Sequence, residues 1–254
     1  MAVIAVFNQK GGVGKTTTCL NIAASLAMLG RNPLAIDLDP QAHLTLACGV
    51  KLPSAAESIS AFYRGEKPLT DLVRRLPSGL RLIPSHPELS KIDALFGKSI
   101  SIANRLKAGL EERLAWEDAP VLIDCCPVLG VLSLNAVFAA DRVLIPVSAD
   151  FLSLQGVHRL VAALNVLEGP LKRKIERKVV LTRFDSRRKL SHEIFERLRE
   201  HFGHDLCATR IAETVSLAES PIHGKDVFAY APHSQGARDY GALTMELLSK
   251  GFFE

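Results

Sequence analysis

Several things are scarce in this chain, and each shortage removes a class of answer. Its 254 residues include five cysteines, Cys19, Cys48, Cys125, Cys126 and Cys207. An odd number without C-x-x-C spacing argues against a disulfide framework and a zinc site, leaving core or near-core thiols. No run approaches 18 uninterrupted apolar residues, so no membrane-spanning helix is expected. The chain enters its first apolar run directly, with no basic stretch or cleavage site, so a cytoplasmic protein is expected. Internal repeats and low-complexity linkers are missing too, which predicts one domain over 1–254, and no helix-turn-helix or winged-helix pattern precedes the first apolar run, so no N-terminal DNA-binding extension is expected.

What is present begins with composition. At 48% hydrophobic residues, the chain can bury a sizeable core. Its net charge of +4 is modest but uneven. Nine cations, among them Lys172, Arg173, Arg183, Arg187, Arg188 and Lys189, fall between Lys172 and Lys189 against two acids. Such a concentration is the electrostatic footprint of a polyanion partner.

The most informative stretch is Asn8–Thr18, NQKGGVGKTTT, after the apolar run Ala2–Phe7. A β-branched run, a glycine turn and the helical composition of Thr16–Leu29 make a strand, loop and helix in that order. Loop amides and a helix N-terminus attract phosphate oxygens. Gly11, Gly12, Val13, Gly14 and Thr17 would then line the nucleotide, Lys15 would reach its terminal phosphates, and Thr16 could ligate Mg²⁺. The general pattern G-x-x-x-x-G-K-[ST] is met at Gly14, Lys15 and Thr16, but Gln9 occupies the first glycine position and Lys10 adds a second lysine.

Two further apolar runs end in acids. Pro33–Asp37 leads into Asp37-Leu38-Asp39-Pro40-Gln41, and Val121–Asp124 leads into Cys125-Cys126-Pro127. Carboxylates at the ends of parallel strands beside a phosphate loop can organise Mg²⁺ and a water. Strands are also expected at Leu80–Ile83, Arg142–Val147, Lys178–Thr182 and Leu206–Ile211. Helices are expected at Ser54–Tyr63, Ser90–Leu114 (interrupted at Gly97 and Gly109), Leu129–Ala140, Ser153–Leu167, Leu190–Phe202 and Ser234–Leu248. In Leu190–Phe202, an apolar stripe at Leu190, Ile194, Leu198 and Phe202 predicts packing. Alternation of this kind predicts an α/β fold, a doubly wound and mostly parallel sheet flanked by helices.

The loop with its extra lysine, DLDPQ, and the acid after VLID together resemble the deviant Walker A ATPases of the ParA/MinD superfamily, and the ParA-type branch in particular. The resemblance covers nearly the whole chain and implies an ATPase using ATP and Mg²⁺. It implies that Asp39 orients the attacking water, that Asp37 supports the metal shell, and that Asp124 holds Mg²⁺ through a water. By the same resemblance, Lys10 reaches a partner subunit's phosphates, so that ATP drives homodimer formation. Asp185-Ser186-Arg187-Arg188 falls where ParA-type chains carry Asp-x-Arg-Thr, which implies non-specific DNA contact by Arg187, with Arg188 and Lys189 adding charge. A ParB-like or cargo-adaptor protein would stimulate hydrolysis, and the ATP dimer would sit on the nucleoid. The cargo could be a chromosome, a plasmid or a protein body.

Two departures stand out. Cys126 replaces a proline usual in switch II, and Glu213 and Ser216 replace arginines that help bind DNA. The cysteine spacing also speaks against the iron–sulfur branches of the superfamily. Two other readings compete. A MinD-like membrane-surface ATPase would need a basic amphipathic end, yet Leu243–Glu254 carries one lysine against two glutamates. A metabolic P-loop ligase would need no basic segment.

Overall fold

The computed structural model describes residues 2–92, 100–114 and 119–254. Eight strands form one sheet: β1 (Val3–Val6), β2 (Leu34–Leu38), β3 (Arg74–Arg75), β4 (Arg81–Ile83), β5 (Val121–Cys125), β6 (Arg142–Ser148), β7 (Glu176–Phe184) and β8 (Leu206–Ala212). Their order is β3-β4-β2-β5-β1-β6-β7-β8. Every pairing is parallel except that of β3 with β4.

Both faces of this sheet are covered, which is why its inner strands read as unbroken apolar runs. In β1 and its flanks, Val3, Ala5 and Phe7 enter one core while Ala2, Ile4 and Val6 enter the other. The first core is closed by helices Ile59–Arg64, Arg105–Leu114, Val131–Ala139, Phe151–Leu171 and Lys189–Phe202. The second is closed by Lys15–Met28, His43–Ala47 and Gln235–Ser249. Four of the cysteines are buried and Cys48 is half-buried, all as free thiols.

The predicted doubly wound architecture is therefore the observed one, with instructive differences. Gly109 does not interrupt a helix but lies inside Arg105–Leu114, at a position where a Cβ would meet the Phe62 ring at 2.7 Å. Gly97 lies outside the described residues. The single helix expected over Ser54–Tyr63 is a 3₁₀ turn at Ala55–Glu57 and then Ile59–Arg64, restarted by Ser58, whose hydroxyl caps the Ser60 N–H. On helix Lys189–Phe202, Ile194 and Leu198 are buried, but Leu190 is exposed. It sits in the first turn, before the helix has settled onto the sheet. The antiparallel strand β3 is too short to leave a period in the sequence.

Candidate functional site

The carboxyl ends of β1, β2 and β5 converge on the glycine loop. Register places Asp37 and Val6 on either side of Asp124. Asn8, buried beneath the loop, donates from Nδ2 to the Pro146 carbonyl at 2.8 Å and accepts the Lys10 N–H at 3.0 Å. Gly12 and Gly14 adopt φ of +74° and +85°, a region costly for any residue with a Cβ. Thr182 Oγ1 donates to the Val13 carbonyl at 2.8 Å and fixes the loop's far side. Helix Lys15–Met28 then begins with first-turn amides that have no intrahelical acceptor, and no acidic residue stands in that turn. Unpaired amides and the positive end of the helix dipole suit an anion.

Lys15 is buried and folds back, with Nζ donating to the Lys10 carbonyl at 3.0 Å. Burial lowers its pKa, and the charges of Asp124 and Asp39 push the other way. Thr16 Oγ1 donates to Asp124 Oδ2 at 2.7 Å. The other Asp124 oxygen, Oδ1, is buried without a hydrogen-bond partner. Burial first, and then Asp37, raise the Asp124 pKa well above the carboxylate range. An orphaned carboxylate oxygen next to a hydroxyl fits a hard divalent cation. Among the described residues no group of three or more His, Cys, Asp or Glu side chains could hold a metal. A cation here would draw the rest of its shell from oxygens outside the protein, water or phosphate.

The two acids after β2 have different surroundings. Asp37 is fully buried and both of its oxygens are engaged: Oδ2 accepts Thr45 N at 2.8 Å and Thr45 Oγ1 at 2.6 Å, and Oδ1 accepts Asp39 N at 3.2 Å. Burial pushes its pKa up to about 6 against those hydrogen bonds. Its observed work is to hold helix His43–Ala47 and to shape the turn that presents Asp39. Asp39 is 8% exposed, and its Oδ1 accepts the Gln41 N–H at 2.9 Å. Thr45 could not have been singled out from the sequence, because the helix that carries it is only five residues long.

The Lys10 ammonium takes partners different from those of Lys15. Its ammonium donates to Asp150 Oδ1 at 2.6 Å and to Ser153 Oγ at 2.8 Å. Asp150 caps helix Phe151–Leu171 by accepting the Ser153 N–H, and Ser148 Oγ donates to its other oxygen at 2.6 Å. Burial alone would raise the Asp150 pKa, but the bonds from Lys10, Ser148 and Ser153 hold it well below the usual range. Asp before a helix after Ser148-Ala149 is a legible cap, though its tie to Lys10 is not.

The basic segment does not form one patch. Arg187 and Arg188 follow β7 at the carboxyl end of the sheet and share Asp185, at 2.9 and 3.3 Å. Arg187 holds the Asp185 pKa down to about 2. Lys189, 91% exposed, reaches Glu193 at 3.6 Å. Arg183, at φ +52°, is bound by Glu213 at 2.6 Å and touches the Gly12 carbonyl at 3.4 Å. It therefore borders the groove that adjoins the glycine loop, alongside Thr17, Thr182 and Thr214. Lys172 and Arg173 lie at the other end of the sheet: Arg173 donates to the carbonyls of Ala140 and Asp141, just before β6. The sequence cluster thus overstates a common surface, because the length of β7 separates its two halves.

A parallel sheet with a glycine loop, a buried lysine and a Thr–Asp pair at its carboxyl end defines a P-loop nucleotide-binding protein. A family model described as an AAA domain matches residues 1–177. The chain is 35% identical over 253 residues to the chromosome partitioning protein ParA of Caulobacter vibrioides, covering 98% of this chain and 95% of that one. It is 39% identical over 249 residues to the chromosome-partitioning ATPase Soj of Thermus thermophilus, covering 97% and 95%. Among solved structures, cobyrinic acid a,c-diamide synthase from Mycobacterium smegmatis with bound ATP analogue and magnesium superposes with a TM-score of 0.86 at 28% identity, covering 99% and 96%. The chain belongs to the ParA-type P-loop ATPases, a family of partition and positioning ATPases. Among the described residues no helix is long and apolar enough to cross a membrane.

Proposed function

We propose that this protein is an ATP-switched positioning ATPase, whose ATP-bound homodimer holds DNA without sequence preference and lets go after hydrolysis. The observation that carries this reading is the division of labour between the two lysines. Lys15 is buried and folded onto its own loop, whereas the Lys10 side chain remains 34% exposed and rests on Asp150 and Ser153. A cation outside its own cradle is available to a second subunit's phosphates, as an arginine finger is. Dimerisation then requires Lys10 to leave Asp150.

Within each subunit, Thr16 and Asp124 would hold Mg²⁺, which when bound neutralises charge on the β- and γ-phosphate oxygens. Lys15 binds those oxygens, the amides of Gly11–Thr17 cradle them, and Asp39 orients the attacking water. Asp37 supports this arrangement from the next layer, through Thr45 and the Asp39 backbone. Arg187, Arg188 and Lys189 supply phosphate-backbone contacts. A ParB-like or cargo-adaptor protein stimulates an otherwise slow hydrolysis, and the ATP form associates with the nucleoid.

A metabolic ligase is the second reading, supported by the likeness to the diamide synthase. In the segment that a membrane-surface reading would use, Leu243, Leu247, Phe252 and Phe253 are buried in the core. Co-sedimentation with duplex DNA of arbitrary sequence tests the proposal: retention with ATP and Mg²⁺ but not with ADP is expected. Equal retention in both states would contradict the switch.

A further inference from the structure

Strand β8 is the last strand of the sheet, and its exposed Arg210 is held in an unusual way. The guanidinium lies 4.8 Å from the ring centroid of Phe184, at the end of β7, and 4.6 Å from that of Phe195, on helix Lys189–Phe202. His192 packs edge-on against the same Phe184 ring at 5.1 Å. Its Nε2 lies 2.9 Å from the Ser186 carbonyl, so the stack is tied to the loop that carries Arg187 and Arg188. The neighbouring arginines are answered by acids, Arg183 by Glu213 and the Arg187–Arg188 pair by Asp185. No carboxylate pairs with Arg210 among the described residues.

We propose that Arg210 is an anchoring contact for the DNA phosphate backbone, part of one surface with Arg187 and Arg188. The inference rests on the DNA-binding reading above and adds a residue to it. A guanidinium held against aromatic rings spends none of its N–H donors on a carboxylate, so they remain for a phosphate fork. A side chain already pinned by two rings also has little rotamer freedom left to lose on binding. Arg210 thereby offers the cation that Glu213 and Ser216 do not, from an edge strand just upstream of both.

The test uses the full chain with ATP and Mg²⁺, and fluorescence anisotropy with a labelled duplex of arbitrary sequence across a salt titration. Each phosphate no longer neutralised should lower the salt slope by about 0.9, which is roughly tenfold in affinity near 0.1 M salt. Arg210→Ala is expected to weaken binding by at least that factor and to flatten the slope, with ATP binding unchanged, while the loss of both ring contacts lowers the thermal midpoint slightly. Arg210→Lys should restore the slope while recovering only part of the affinity, since it keeps the charge and loses the fork. If Arg210→Ala binds DNA with wild-type affinity and slope, the assignment is wrong. If the wild-type protein itself binds no duplex with ATP, the DNA-binding reading fails first, and this inference with it.

Discussion

The glycine loop and the basic segment are both contiguous in sequence, yet only the loop stays together in space. Asn8–Thr18 forms a site because its backbone does: amides, two left-handed glycines and a helix start lie within one turn of chain. Lys172–Lys189 is instead divided by the nine residues of β7, which at about 3.3 Å each place its ends roughly 30 Å apart. Much of its charge is also spent locally: Arg177 meets Glu168 at 3.5 Å, Lys178 meets Asp205 at 3.8 Å, and Arg183 meets Glu213. A backbone-built anion site can be read along the chain. A side-chain charge patch can be read only from topology.

The largest effects are expected at the loop. Lys15→Ala should weaken ATP binding by about 100-fold, the scale of one strong charge-assisted contact, as measured by isothermal titration. Asp39→Ala should leave that affinity intact and cut phosphate release by roughly 10²- to 10⁴-fold. Wild-type ATP affinity in Lys15→Ala would break the claim that this loop is the nucleotide site.

Intermediate effects separate the two halves of the basic segment. Arg187→Glu with Arg188→Glu and Lys172→Glu with Arg173→Glu change net charge equally. The first pair should lower DNA affinity more than tenfold and reduce the salt slope by about 0.9 for every phosphate left without its arginine. The second pair should leave the slope unchanged. Equal weakening by both pairs would mean that total charge, and not placement, governs binding.

The smallest effect lies on the outer side of β8, the strand next to β7. Glu246 accepts the N–H groups of Ala208 and Thr209 at 2.8 Å each and pairs with Lys250 at 2.8 Å, covering the open edge of β8. Burial alone would raise its pKa, but these donors hold it down to about 2, against 4.5 for a free glutamate. The native state therefore binds this proton less tightly than the unfolded chain does. Its stabilisation is complete above about pH 4.5 and is lost as pH falls toward 2. Glu246→Gln should cost about 1–2 kcal/mol at neutral pH and flatten that acid limb, with nucleotide binding untouched. A denaturation series against pH measures both.

Much of the fold was legible because its signals are local. Strands buried on both faces leave continuous apolar runs, and seven of the eight strands among the described residues follow from such runs or short alternations. The same local signals made Lys15, Thr16 and Asp124 candidate site residues, and the family resemblance added the roles of Lys10 and Asp39. What escaped the sequence depends on contacts across long separations: Thr45 closing on Asp37, Asp150 holding Lys10, and Phe62 requiring Gly109. Arg210 gave no signal of its own, since its two rings come from different elements.

In the proposed dimer, Lys10 serves a second subunit's nucleotide. Light scattering during size exclusion, with a non-hydrolysable ATP analogue and Mg²⁺, tests it most directly. The wild-type protein should elute as a dimer, and Lys10→Ala should bind the analogue yet remain a monomer. A wild-type protein that stays monomeric while saturated with analogue, or a Lys10→Ala variant that dimerises as readily, would contradict the account.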